Sequence, residues 1–266
     1  MTALTATLPT PRLVGADLLK LRRRRGLVAV VALLTVGTVV IANVIKELLH
    51  LSNSVTQGPA GGVTMLGHMA WTISALGAVA AAIVGSTSGS GDLDAGVYRD
   101  LVVTGRSRFA LFASKIPAGL AFLVPFVAAA YALEAAASVV LAGGNPVPSI
   151  YLLTVTGLWT LLSVVFYYLL ALGVACLVGS RSYTIGIVLA WRLALTPLLA
   201  TITTLGVARE LVPGVALDRL LPAALHDTAR QGPRVGMSIA AVAAVLVVWA
   251  VAAVVAGAWR DTTRDA

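Results

Sequence analysis

Long apolar runs alternate with short polar breaks along the whole chain. Six runs are long enough to be read as membrane-crossing helices, which need about 20 residues each. They cover residues 26–45, 66–85, 116–141, 151–178, 183–206 and 236–258. The pattern predicts an all-α, polytopic membrane protein with six transmembrane helices. It divides the chain into a cytoplasmic N-terminal segment (1–25), a six-span transmembrane domain (26–258) and a short cytoplasmic tail (259–266). Residues 1–11 read as disordered. Val14, Leu18 and Leu21 then recur at i, i+4, i+7 beside Arg12, Lys20 and Arg22 to Arg25. That spacing predicts an amphipathic interfacial helix running into a basic stop. A signal peptide does not fit, because the basic region comes late, the apolar run is long and no convincing cleavage site closes it.

The polar breaks carry the candidate chemistry. The longest in the first half, residues 86–115, holds Asp92, Asp94, Asp100, Arg99, Arg106, Arg108 and Lys115. Within it Asp92 reads as an N-cap, Asp94 as a first-turn acid and Gly105 as a stop. Leu93, Val97 and Leu101 follow helical spacing, with Tyr98 and Val102 beside them. The expected element is a short amphipathic helix whose apolar stripe needs cover. The breaks at 46–65, 143–150 and 207–235 are read as outer loops; in the last, residues 215–225 have helical spacing broken by Pro222.

An acid, G-x-x-x-x-L, a small residue, S-R and a following Lys occur here as Asp94, Gly96, Leu101, Thr104, Gly105, Ser107, Arg108 and Lys115. This arrangement resembles the cytoplasmic coupling loop of type-2 ABC exporter permeases, with Asp94, Val97 and Gly105 standing where the family usually has Glu, Thr and often Pro. The resemblance implies the six-helix ABC exporter permease fold and an ATPase-coupling loop formed by Asp94, Gly96, Val97, Tyr98, Leu101, Gly105, Arg106, Arg108 and Lys115. It implies two copies of a separate ABC ATPase subunit and a second permease subunit, in a homo- or heterodimer. ATP and Mg would be bound by the ATPase, with no cofactor in this chain. The implied function is outward movement of a drug-like compound, peptide or lipid by alternating access, so the chain itself would be no enzyme.

Composition agrees with the membrane setting. Hydrophobic residues make up 59%, charged residues 11%, and the mean hydropathy is +0.94, whereas a soluble domain is about a quarter charged. The net charge of +8 raises nucleic acid as a partner, but its distribution argues for anionic lipid instead. Thirteen Lys/Arg fall in the segments read as inner and five in those read as outer, which places both termini in the cytoplasm. The expected location is a bacterial plasma membrane. Cys176 stands alone in an apolar run and reads as a small hydrophobe.

Two charges lie inside predicted spans, Glu134 and Arg192, and both are candidate translocation-pathway residues. Glu134 lies about 27 Å along its span and Arg192 about 13 Å along its own, so a direct pair is not expected. Arg192 is expected to line a cavity, to touch carbonyls near Pro197 or to face a second copy. The Gly/Ser stretch 85–91 lacks G-x-x-x-x-G-K-[ST], so no P-loop is present, and no catalytic or metal-ligand constellation stands out. The alternatives are a secondary transporter with a mid-membrane site near Arg192 and a membrane-embedded enzyme.

Overall fold

The computed structural model describes residues 10–94, 96, 107–226 and 236–263, and every regular element among them is a helix. Helix α1, Pro11–Arg23, starts where the Thr10 hydroxyl accepts the Leu13 N–H and Pro11 supplies a preset φ. Its Leu21 is buried, and its apolar stripe packs chiefly on the fourth helix. Among the described residues six further helices are long and apolar enough to cross a membrane. They are α2 (Arg25–Ser52), α3 (Val63–Asp94), α4 (Arg108–Val140), α5 (Ile150–Val178), α6 (Arg181–Thr201) and α8 (Ile239–Thr263). A short helix α7, Pro213–Arg219, lies between the last two.

The bundle is built around α3 and α5. In their most apolar windows 72% and 61% of residues are buried, against 22% for α2 and α6 and 11% for α8. The reason lies in small residues. A Cβ on Gly89 would sit 2.5 Å from the Ala175 Cβ, and one on Gly85 2.8 Å from that of Ala171. The two backbones therefore approach more closely than larger side chains permit, which is how helices associate where lipid removes the hydrophobic drive. Gly119 on α4 makes a similar crossing. A Cβ there would fall 1.9 Å from the Tyr168 hydroxyl, which donates to the Lys115 carbonyl at 2.7 Å.

This packing corrects the predicted boundary at residue 86. The Ser/Gly stretch belongs to α3 and is buried in the bundle, not exposed in a loop. Three of its hydroxyls are satisfied within the helix: Ser86 and Thr87 donate to the Ile83 carbonyl at 3.0 and 2.6 Å, and Ser90 to that of Ser86 at 3.0 Å. Hydropathy counts Ser and Gly as polar, whereas their small size suits them to a helix crossing. Asp92 is accordingly not an N-cap. It lies in the last turn of α3, and the chain leaves the helix by Gly96, whose φ of +68° favours glycine. Lys46, Glu47 and His50 are likewise corrected, from loop to the end of α2, which continues to its Asn53 cap. The predicted start at 151 and end at 178 agree closely with α5, capped by the Ser149 hydroxyl and by left-handed Gly179.

Two spans contain π-helical turns, Leu33–Gly37 in α2 and Ala190–Leu195 in α6. In α6 Pro197 follows at once; lacking an N–H, it cannot continue the regular ladder. The segment 203–211 that follows is 3₁₀-helical on either side of a kink at Gly206, whose φ of +51° is not helical. Helix α7 then packs back against α6 and α8 with Pro213 to Leu217 buried, so the predicted outer loop 207–235 is in part a packed cap. A Cβ on Gly214 would meet the Thr196 Cγ2 at 2.3 Å, so glycine permits this return.

Candidate functional site

Charged side chains gather at the end of the bundle that carries α1, here termed the terminal face. Lys20 on α1 reaches Asp17 one turn back and Asp92 at the end of α3, each at 3.2 Å. The other Asp92 oxygen lies 3.8 Å from the Lys115 ammonium on α4. Ser114, next to Lys115, donates to the second Asp17 oxygen at 2.6 Å. Lys115 is 4% exposed and Lys20 46%. Half-burial of Lys20 works against its charge, but the Asp92 and Asp17 carboxylates outweigh this and hold its pKa above the ordinary value. A cavity of ≈ 30 Å³ adjoins the cluster and is lined also by Arg24, Thr87 and Ser88. Arg108 at the start of α4 donates to the Thr262 carbonyl near the end of α8 at 3.3 Å. The two stems of the 95–106 segment, α3 and α4, are therefore tied to each other, to α1 and to α8.

Two polar contacts lie deeper. Asn43 of α2 donates to the Glu134 carboxyl of α4 at 2.8 Å and also to the Val39 carbonyl at 3.0 Å. Glu134 is fully buried. Arg192 sits in the π turn of α6, with its Cζ 5.6 Å from the Tyr167 ring centroid and an Nη 3.7 Å from Asp218 of α7. That ion pair is longer than a hydrogen bond. Burial pushes the Asp218 carboxyl up to about 6, with Arg192 acting in the opposite direction. Two tryptophans secure the returning segment: Trp159 of α5 donates to the Leu217 carbonyl at 2.8 Å, and Trp249 of α8 to that of Leu211 at 3.0 Å.

The residues singled out from sequence fall into three groups. Arg108 and Lys115 join the terminal-face network. Asp94 ends α3 and Gly96 is exposed beyond it, while Val97, Tyr98, Leu101, Gly105 and Arg106 lie outside the described residues, with most of the predicted amphipathic helix. Glu134 and Arg192 do not meet, as their unequal depth led us to expect; each has another partner. For Arg192 that partner, an acid on the α7 return, was not among those expected. Asp17, Lys20, Asn43, Tyr167 and Asp218 were missed. Asn43 had a signal, being an amide within an apolar run, near its end, and Asp17 with Lys20 had the i, i+3 spacing of a helical ion pair. Asp218 had none, because its role depends on the fold of residues 202–218. Comparison of the chain with protein-family models and with curated proteins found no match.

Proposed function

We propose that the chain is the membrane-spanning permease subunit of an ABC exporter, embedded in a bacterial plasma membrane with the terminal face in the cytoplasm. The observation that carries this reading is the Asp17–Lys20–Asp92–Lys115 network at the stems of the 95–106 segment. A partner that grips this segment displaces α3, α4 and α1 together, and α3 is the central helix of the bundle. A separate ATPase, closing on ATP, supplies the displacement, and the spans respond by alternating between inward and outward openings. Two such chains, identical or different, and two ATPases form the working assembly, and ATP hydrolysis takes place in the partner. The cargo is a drug-like compound, a peptide or a lipid. The chain's part in ATP coupling is mechanical.

The test is Leu101→Asp in the protein expressed with its ATPase. Burying a Leu is worth about 1.5–3 kcal/mol, so a charge there is expected to weaken the complex roughly tenfold or more. Normal membrane insertion with loss of ATPase co-purification and of ATP-driven transport supports the reading. A stable variant that retains its ATPase and transports normally overturns it. A secondary transporter is the second reading, favoured by the Arg192–Asp218 pair beside a broken helix. It requires transport driven by an ion gradient without ATP.

A further inference from the structure

A groove of ≈ 620 Å³ opens on the side of the bundle between α2, α3 and α6, well away from the Asn43–Glu134 contact. Its walls are apolar, formed chiefly by Val30, Val79, Ile83 and Leu189. At its terminal-face mouth stand two arginines, Arg24 and Arg181, both exposed and neither in an ion pair among the described residues. The registers agree: α3 from Thr87 to Val79 and α6 from Arg181 to Leu189 each cover eight steps, or about 12 Å. The groove therefore runs from a cationic mouth into apolar depth along both antiparallel walls. Arg24 is drawn over the end of α3, its Nη2 3.7 Å from where a Cβ on Gly91 would lie.

We propose that this groove is a binding site for an anionic glycerophospholipid. The phosphate sits between Arg24 and Arg181, and one acyl chain runs along Val30, Val79, Ile83 and Leu189. A guanidinium offers paired donors that match phosphate oxygens, which an exposed lysine does not. Basic pockets between membrane helices select anionic headgroups for this reason. The volume lies within the roughly 300–1,000 Å³ of pockets that enclose an extended small ligand. A zwitterionic lipid places its own cation at the mouth, beside two fixed positive charges, and is disfavoured there. The inference rests on the membrane setting proposed above but not on an ATPase or on transport.

The experiment titrates phosphatidylglycerol and, separately, phosphatidylcholine into the purified, delipidated full chain, with bound lipid and oligomeric state read by native mass spectrometry. Phosphatidylglycerol is expected to bind more tightly, by roughly tenfold to thirtyfold for two guanidinium contacts. The Arg24→Gln/Arg181→Gln variant is expected to lose that preference. Arg260→Gln, which removes an exposed charge outside the groove, is expected to keep it. Gly26 lines the mouth, and a Cβ there meets nothing within 4 Å. Gly26→Phe thus sets a bulky ring at the mouth while leaving both arginines in place, and by obstructing entry is expected to lose phosphatidylglycerol as well. Equal affinity of the unaltered protein for the two lipids overturns the proposal, and that measurement depends on no variant. So does full binding in Gly26→Phe, which would place the lipid on the charged surface alone. A double variant that changes oligomeric state while retaining lipid preference also overturns it, and makes the face a contact between copies.

Discussion

Asp92→Asn is expected to destabilise the protein more than Lys115→Met, although both break the same ion pair. Lys115 is 4% exposed, and Asp92, 17% exposed, lies 3.8 Å away while also holding Lys20. Neutralising Asp92 strands a buried ammonium, and removing one partner of a buried pair costs about 3–5 kcal/mol. Two features lower that figure. The contact is longer than a hydrogen bond, and the adjoining cavity of ≈ 30 Å³ has room for about two waters at the stranded ammonium. The expected loss is then about 1–3 kcal/mol. Lys115→Met removes the buried charge itself and keeps the aliphatic stem, while Asp92 retains Lys20. Its expected loss is about 0–1 kcal/mol. The double variant is expected to recover most of the Asp92→Asn loss, a coupling of about 1–2 kcal/mol. The assay is thermal unfolding in one detergent at a fixed scan rate, because the transition is expected to be irreversible. At about 2–4 °C per kcal/mol for a chain near this size, Asp92→Asn is expected to lose roughly 2–12 °C and Lys115→Met under about 4 °C. Equal losses, or a double variant no more stable than Asp92→Asn, would refute the reasoning.

Glu134→Gln keeps the shape of its contact with Asn43 and is expected to change stability by less than about 1 kcal/mol, whereas Asn43→Leu strands the buried carboxyl and is expected to cost about 1–3 kcal/mol in the same melt. Asp218 binds its proton more tightly in the folded chain, so its contribution to stability is expected to fall as pH rises from about 4 to about 6; Asp218→Asn is expected to remove that slope, and a slope unchanged in the variant assigns it elsewhere. Arg192→Leu is expected to lower transport without loss of expression and Arg192→Lys to be partly tolerated; unchanged transport in the Leu variant removes Arg192 from the pathway. For topology, single cysteines in a Cys176-free background are expected to react from outside the cell at exposed Ser54 and not at exposed Thr263, and outside reaction at Thr263 reverses the proposed orientation. Ser90 cannot serve as the inner marker, because it is buried.

What the sequence by itself determined is the number and class of the long elements. Apolar runs of this length have few alternatives to helix, since a helix satisfies its backbone groups internally and needs no partner strand. Local chemistry also set several ends: Thr10, Ser149 and Gly179 cap the helices they adjoin. The amphipathic α1 was legible for the same reason, its stripe and its charges being neighbours in the chain. Of the candidate site, Arg108 and Lys115 were legible through a motif, and Glu134 and Arg192 through the cost of charge in an apolar run.

Tertiary structure decided the rest. The stretch from Gly85 to Gly91 reads as a loop by hydropathy, yet its small residues meet Ala171 and Ala175 across a close crossing, and a crossing is a relation between two helices. Asp92 becomes the hub of an ion-pair network only because α1, more than 70 residues earlier, is laid against the ends of α3 and α4. Asp218 meets Arg192 only because Gly214 lets α7 return against Thr196. Charge and hydropathy are properties of residues and can be read in order along the chain. Whether a polar residue is a loop, a clamp or a packing surface depends on what the other helices bring to it, and that is settled by close packing among segments far apart in sequence.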